Sequence, residues 1–417
     1  MNGNAYAKRN PAIDRLRALT MVLMVFVNYF WTIQGVPNAL AHAAPGVDYM
    51  GLSDYIFPAF LFVMGMSIPY AVESRRRKGE ADGTILAHVL RRTLALLVMG
   101  VFTENDFGTL PLGPHSHSLY FILMTVGIFL LWTDIPKDHT DGAYGKSTAR
   151  GIITAILRLA GTALLLGMAI VWRSPDGERF APHWWGILGL IGWTYLFSAV
   201  VYLTASAGKW NSAILSSLAV IAVLLAVNIL STPNRSGSCF LELQKPNFYN
   251  SFLDVLQLRN AGHHLLAMGG MLLSMVSAEI TSEFPKGKRL GLAAAAAAVL
   301  MGLSELAHIW FIAQKNGAYL PWILRTEAVC VLAYGLFTFF DGTKFLAGAD
   351  RIFSPAGKAT LTMYMIPYLW MGIAGLTGWN LWGRFSGVAG LLYCAVYTAA
   401  ILGLTWVLTK INVKLKI

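Results

Sequence analysis

Residues 14–79 read DRLRALTMVLMVFVNYFWTIQGVPNALAHAAPGVDYMGLSDYIFPAFLFVMGMSIPYAVESRRRKG. Two apolar runs, 17–34 and 51–72, flank a segment that holds no lysine or arginine, and a block of four basic residues closes the second run. Each run approaches the roughly 20 apolar residues that a helix needs to cross a bilayer. Basic residues before the first run and after the second, with none between, predict a helical hairpin with both ends on the cytoplasmic side and its loop outside.

The rest of the chain continues that pattern. Of its 417 residues, 56% are hydrophobic and 13% charged, against roughly 25% charged in a soluble domain. That balance excludes a soluble enzyme, a disordered chain and a single-anchor receptor. Further apolar runs fall at 86–104, 118–133, 151–172, 186–205, 212–231, 263–281, 290–313, 319–340, 359–377 and 387–409. The expected fold is all-α, a polytopic integral membrane bundle of about 12 transmembrane helices, range 10–12, forming one domain over 1–417. Of the 32 Lys and Arg residues, 23 fall in the segments that an N-in, C-in topology places inside. The net charge of +11 therefore reports orientation, and no nucleic-acid partner is expected. Seven of the nine histidines fall on the opposite, outer side. The three cysteines, Cys239, Cys330 and Cys394, suggest neither a disulfide framework nor a metal site. The segment 232–262 is the longest outer loop and could cap an outer cavity.

Asn28 near the outer end of the first run, His42 in the loop and Asp54 at the start of the second bring an amide, an imidazole and a carboxylate to one mouth of the membrane. Polar groups there are costly unless each has a partner or a task. Structurally they read as a helix-end Asn, a loop His and an Asp at a helix N-terminus; chemically they read as an acid–base centre.

The run Met24-Val-Phe-Val-Asn28, the loop His42 and the run Asp54-Tyr-Ile-Phe-Pro58 through Gly65-Met-Ser-Ile68 resemble the transmembrane acyltransferases typified by heparan-alpha-glucosaminide N-acetyltransferase and its bacterial homologues. The match is dense over about 60 residues. Lys315-Asn316 followed by Pro321-Trp322 looks like the family's K-N-x-x-x-x-P-W stretch, and Gly357 to Tyr364 is similar to its penultimate helix. Three departures stand out: Ala18 where a Gly is usual after Arg17, Met124-Thr125 at what looks like a Gln-Arg site, and a longer loop from Asn28 to His42.

The resemblance implies a transmembrane acetyltransferase that moves an acetyl group from cytoplasmic acetyl-CoA to an amino sugar or other glycan acceptor at the outer face, by N- or O-acetylation. The expected location is multi-pass in a bacterial inner (cytoplasmic) membrane. It implies that His42 and Asn28 hold the reaction centre, His42 as base or as covalent acyl carrier and Asn28 as donor to the oxyanion. Asp54 either orients His42 or caps its helix. Arg75, Arg76, Arg77, Lys78, Arg91 and Arg92 cluster at one inner corner, where cations suit the phosphates of acetyl-CoA; anchoring to anionic lipid is their other reading. Glu305, His308, Arg325 and Glu327 form a second polar set, read as a salt-bridged network lining the acceptor cavity, while Glu104, Asp106, His115 and His117 could also face the acceptor. No metal is expected. Membrane lipid is the expected partner, and a homodimer is compatible with the sequence. The alternative function is a transporter or flippase of a lipid-linked sugar or small amphiphile, which charges inside spans would serve; no internal repeat supports it.

Overall fold

The computed structural model describes residues 9–133, 146–182, 186–206, 210–241, 248–379 and 381–417. In chain order its helices are α1 (Pro11–Asn28), α2 (Leu52–Arg76), α3 (Asp82–Glu104), α4 (Ser116–Trp132), α5 (Lys146–Val171), α6 (Ile187–Ala205), α7 (Trp210–Ser231), α8 (Phe248–Val255), α9 (Gly262–Glu283), α10 (Lys286–His308), α11 (Leu320–Phe339), α12 (Lys344–Lys358), α13 (Thr360–Thr377) and α14 (Gly387–Lys410). The fold is an all-α polytopic membrane bundle. Among the described residues nine helices are long and apolar enough to cross a membrane, or ten where α12 and α13, bent by 75° at their junction, are counted together as one broken span. Two further predicted stretches are α1, whose first two turns carry Asp14, Arg15 and Arg17, and the shorter α4.

All twelve predicted stretches fall on helices, with two differences of kind. The first helix runs 11–28 rather than 17–34: Asn10 caps it by accepting from the Ala12 amide at 3.1 Å, with Pro11 at its first position. Its charged first turns are matched by partners, for Arg15 meets Asp341 at 2.7 Å and Asp350 at 2.8 Å. The second difference is α12, which reads as a loop because Lys344, Asp350, Arg351 and Lys358 interrupt its apolar residues. It is amphipathic, with Phe345 and Ile352 exposed and Leu346 and Ala356 buried.

Within lipid there is no water to drive helices together, so close packing of small residues does that work. The central pair is α2 and α9, where a Cβ on Gly65 would lie 1.9 Å from the Ala267 carbonyl and one on Gly270 1.9 Å from that of Phe62. The two backbones touch, which only glycine permits. Around this pair, α1 packs on α2 and α12, α3 on α6, α4 on α5 and α13, and α10 on α11. The helices α5, α7, α10 and α14 expose most of their apolar surface, as lipid-facing helices do.

Candidate active site

The chain from α1 to α2 builds the site. After Asn28 a short 3-10 turn, Phe30–Thr32, reverses the chain. The strand-like step at Gln34 is held by Gly387, whose amide donates to the Gln34 carbonyl at 2.9 Å. Residues 38–41 then lie over Gly51, where a Cβ would come within 2.0 Å of the Ala41 carbonyl. That contact sets His42 above the first turn of α2.

Asp54 occupies the third position of α2 and divides its carboxylate. Oδ1 lies 2.8 Å from His42 Nδ1, while Oδ2 accepts the Gly51 amide at 3.1 Å and the Ala43 amide at 2.9 Å. The two sequence readings of Asp54 thus coexist, since one oxygen serves the imidazole and the other serves the helix end and the loop. Asp54 is 1% exposed and the His42 side chain 44%, so a buried acceptor holds an accessible imidazole. A proton on Nδ1 serves the carboxylate, which leaves Nε2 as the lone-pair nitrogen. Nε2 has no hydrogen bond among the described residues.

Lys315 Nζ lies 2.8 Å from His42 Nδ1 and 3.6 Å from Asp54 Oδ1. One ring nitrogen cannot both donate to the carboxylate and accept from the ammonium. With the Nδ1 proton given to Asp54, Lys315 is held by the charge of that carboxylate. Burial pushes the Lys315 ammonium below its ordinary value, and Asp54 opposes the shift.

The two proline motifs meet here. Pro58 has no amide proton, so the Asp54 carbonyl one turn earlier lacks its helical donor. The indole Nε1 of Trp322 supplies it at 2.8 Å. This bond ties the Phe57-Pro58 motif of α2 to the Pro321-Trp322 motif of α11, with no signal in either segment alone.

A cavity of about 370 Å³ opens at this end of the bundle. His42, Asp54 and Asn28 line it together with Ser53, Phe57, Glu104, Gln257, His263, Lys315, Asn316 and Trp322. Asn28 is exposed to it, and its amide makes no hydrogen bond among the described residues. Glu104 joins the lining as expected. Asp106, His115 and His117 do not, and His117 Nε2 meets the Asp106 carbonyl at 2.6 Å instead. His263 and Gln257 were not singled out from sequence; His263 lies between the rings of Phe57 and Trp322, 6.0 Å from each. No group of metal-ligating side chains is present among the described residues.

Glu305, His308 and Arg325 do come together, outside this cavity. Arg325 Nη2 donates to Glu305 Oε1 at 2.9 Å and to His308 Nδ1 at 3.2 Å, and His308 Nε2 donates to Asp48 Oδ1 at 2.7 Å. Arg235 completes the chain on Asp48 Oδ2 at 2.7 Å. Asp48 belongs to the loop between His42 and Asp54, so the network fastens that loop. Glu327 lies apart from it, against Gly269 of α9.

A second cavity of about 720 Å³ lies toward the other end of the bundle. Its basic lining is Arg9, Arg17, Arg77, Arg92, Lys358 and Lys416. Of the six basic residues expected here, only Arg77 and Arg92 reach it. Arg75 is paired with Glu80 at 2.7 Å, and Arg76 with Asp82 at 2.8 Å and Glu73 at 2.9 Å, while Lys78 and Arg91 lie outside the lining. The signal that finds the replacements is tertiary, because Arg17 and Lys358 are 341 positions apart in sequence. Met124 and Thr125, at the apparent Gln-Arg site, are both buried and line neither cavity. Ala18 packs where a Cβ on Gly357 would approach within 3.3 Å, so a small residue fits that position.

A profile described as an acyltransferase domain matches residues 10–410. Heparan-alpha-glucosaminide N-acetyltransferase of Mus musculus is 28% identical over 148 residues, 32% of this chain and 21% of that protein. The Homo sapiens protein of that name is 28% identical over 106 residues, 24% of this chain and 15% of that protein. The chain thus matches about a fifth of these relatives' length or less. With the hairpin carrying Asn28, His42 and Asp54 and the segment carrying Lys315 and Trp322 all inside the matched residues, the chain belongs to this acyltransferase family.

Proposed function

We propose that the protein transfers an acyl group, acetyl in the first instance, from an acyl-CoA held in the inner basic cavity to an amine or hydroxyl of an amino sugar or related glycan in the outer chamber. The observation that carries this reading is the His42–Asp54 pair, with a free Nε2 in a cavity that also presents the Asn28 amide.

In this reading His42 Nε2 takes the proton from the acceptor nitrogen or oxygen as that atom bonds to the acyl carbon. Asn28 donates to the carbonyl oxygen as charge builds on it, an effect of about 3–4 kcal/mol for a single donor. As the carbon–sulfur bond breaks, His42 returns its proton to the departing thiolate. Asp54 holds the ring in the required tautomer and stabilises the imidazolium as it forms. The donor is a thioester and supplies the acyl group. The inner cavity suits its phosphates: the buried Nε of Arg92 lacks a hydrogen-bond partner among the described residues, and Arg17 and Lys358 line the same cavity.

The test is release of free CoA from protein in nanodiscs supplied with acetyl-CoA and a glucosaminide, for wild type and His42→Ala. Acceptor-dependent release that is lost in the variant supports the reading. Wild type that binds no CoA and releases none across amines and hydroxyls overturns it.

A further inference from the structure

Met24 is the one residue, among those described, that lines both cavities. On the outer side it stands with Asn28, four residues further along α1 and so about 6 Å away along the axis. On the inner side it stands with Met21, one turn the other way. On α2 the linings divide at a similar level, Phe57 and Pro58 on the outer chamber and Phe60 on the inner cavity, while on α6 they interleave, with Ile187 and Leu190 on the outer and Leu188 and Ile191 on the inner. The two spaces are stacked along the bundle and meet at a side chain that is 3% exposed.

We propose that Met24 is the septum between the donor and acceptor halves of the site, and that it limits the length of the acyl group that passes. The proposal rests on the acyl-transfer reading above. A thioether side chain is unbranched, with three rotatable bonds, so it closes an irregular gap and swings aside at low cost. A two-carbon acyl group needs the smallest opening. Each further methylene must share the gap with Met24, and close-packed interiors register a single methylene. A carbonyl carried past Met24 arrives one turn from its anchor, beside the Asn28 amide.

Two measurements test this, the first in nanodiscs and the second in sealed proteoliposomes with the Arg77 side facing outward, so that the reagent reaches that side alone. The first compares acetyl-, propionyl- and butyryl-CoA as donors for wild type, Met24→Ala and Met24→Phe, with CoA binding followed by calorimetry. Met24→Ala should raise butyryl relative to acetyl transfer by about tenfold, the usual discrimination of a methylene-scale pocket. Met24→Phe should depress acetyl transfer while CoA binding stays within about twofold of wild type. The second needs no acyl transfer: in a Cys239→Ser, Asn28→Cys protein, a membrane-impermeant thiol reagent applied from the Arg77 side should label slowly with Met24 present and rapidly with Met24→Ala. Equal labelling of the two, or an unchanged chain-length profile in both variants, overturns the proposal. If wild type neither binds CoA nor transfers any acyl group, the acyl-transfer reading fails and takes the chain-length role with it; slow labelling that Met24→Ala accelerates then still supports the septum.

Discussion

His42 Nδ1 and Asp54 Oδ1 are 2.8 Å apart, and the second oxygen of the same carboxylate accepts two backbone amides. The orientation of the imidazole, the start of α2 and the path of the loop are therefore fixed by one buried group. Asp54→Asn keeps the shape but puts an NH₂ where an acceptor is needed. Turnover, measured as CoA release, should fall by about 10²–10⁴-fold with CoA binding retained. A variant that only lowers the thermal midpoint would break the link between Asp54 and His42.

Removing the Asn28 amide should slow the transfer step without disturbing the fold, because this side chain makes no hydrogen bond among the described residues. Asn28→Ala should lower kcat by about 10²–10³-fold at an unchanged thermal midpoint. Unchanged kcat would exclude Asn28 from oxyanion stabilisation.

Trp322 and Pro58 are predicted to be energetically coupled. Trp322→Phe strips the Asp54 carbonyl of its donor, leaving a buried acceptor unpaired at a cost of about 1–3 kcal/mol, read as a lower thermal midpoint in detergent. Pro58→Ala restores an amide one turn after that carbonyl. The double variant should lose less stability than the sum of the two singles, and strict additivity would show that the indole bond is not made.

Arg92, whose buried Nε has no hydrogen-bond partner among the described residues, and Lys358 line the inner cavity. Arg92→Gln and Lys358→Gln should each weaken CoA binding by about tenfold, with a loss that shrinks as salt rises. Arg76→Gln removes a residue bound to Glu73 and Asp82 and should leave CoA affinity unchanged. Equal losses at all three positions would point to diffuse surface charge in place of a defined cavity.

The outer network makes an acid-sensitive fastening. Burial works against the Asp48 carboxylate, yet the Ala313 amide, His308 and Arg235 together hold it at about 2, below the ordinary 3.8. Its folded value is depressed, so its contribution to stability is complete above about pH 4 and is lost as pH falls through about 2. Asp48→Asn should lower the thermal midpoint near pH 6, and its difference from wild type should close as pH is lowered from 4 toward 2. A gap that stays constant would show that ionised Asp48 contributes nothing to the loop.

Much of the fold was legible in the chain because membrane spans are selected locally. An apolar run of the right length must satisfy its backbone within itself, and a helix does so whatever its neighbours are. The runs from 51–72 to 387–409 report that requirement directly. The helix α12 did not show, because an amphipathic segment is stabilised by what it lies against, here α1 on one face. The hairpin motif likewise pointed to Asn28, His42 and Asp54, whose spacing along a single turn-back of the chain brings them to one end.

What only the tertiary structure decided is which groups share a space. Clustered arginines at 75–77 look alike in sequence, but pairing with Glu73, Glu80 and Asp82 satisfies Arg75 and Arg76, while the inner cavity draws Arg17 and Lys358 from opposite ends of the chain. Glu305 and His308 have helical spacing and do meet Arg325 of the next helix, yet the network closes on Asp48 and lies outside the lining of the cavity. The bond from Trp322 to the Asp54 carbonyl, and the place of Met24 between two cavities, depend on the packing of α1, α2, α6 and α11. Sequence periodicity determines which side of a helix is apolar; the packing of several helices determines which side chains meet, and no single helix encodes that meeting.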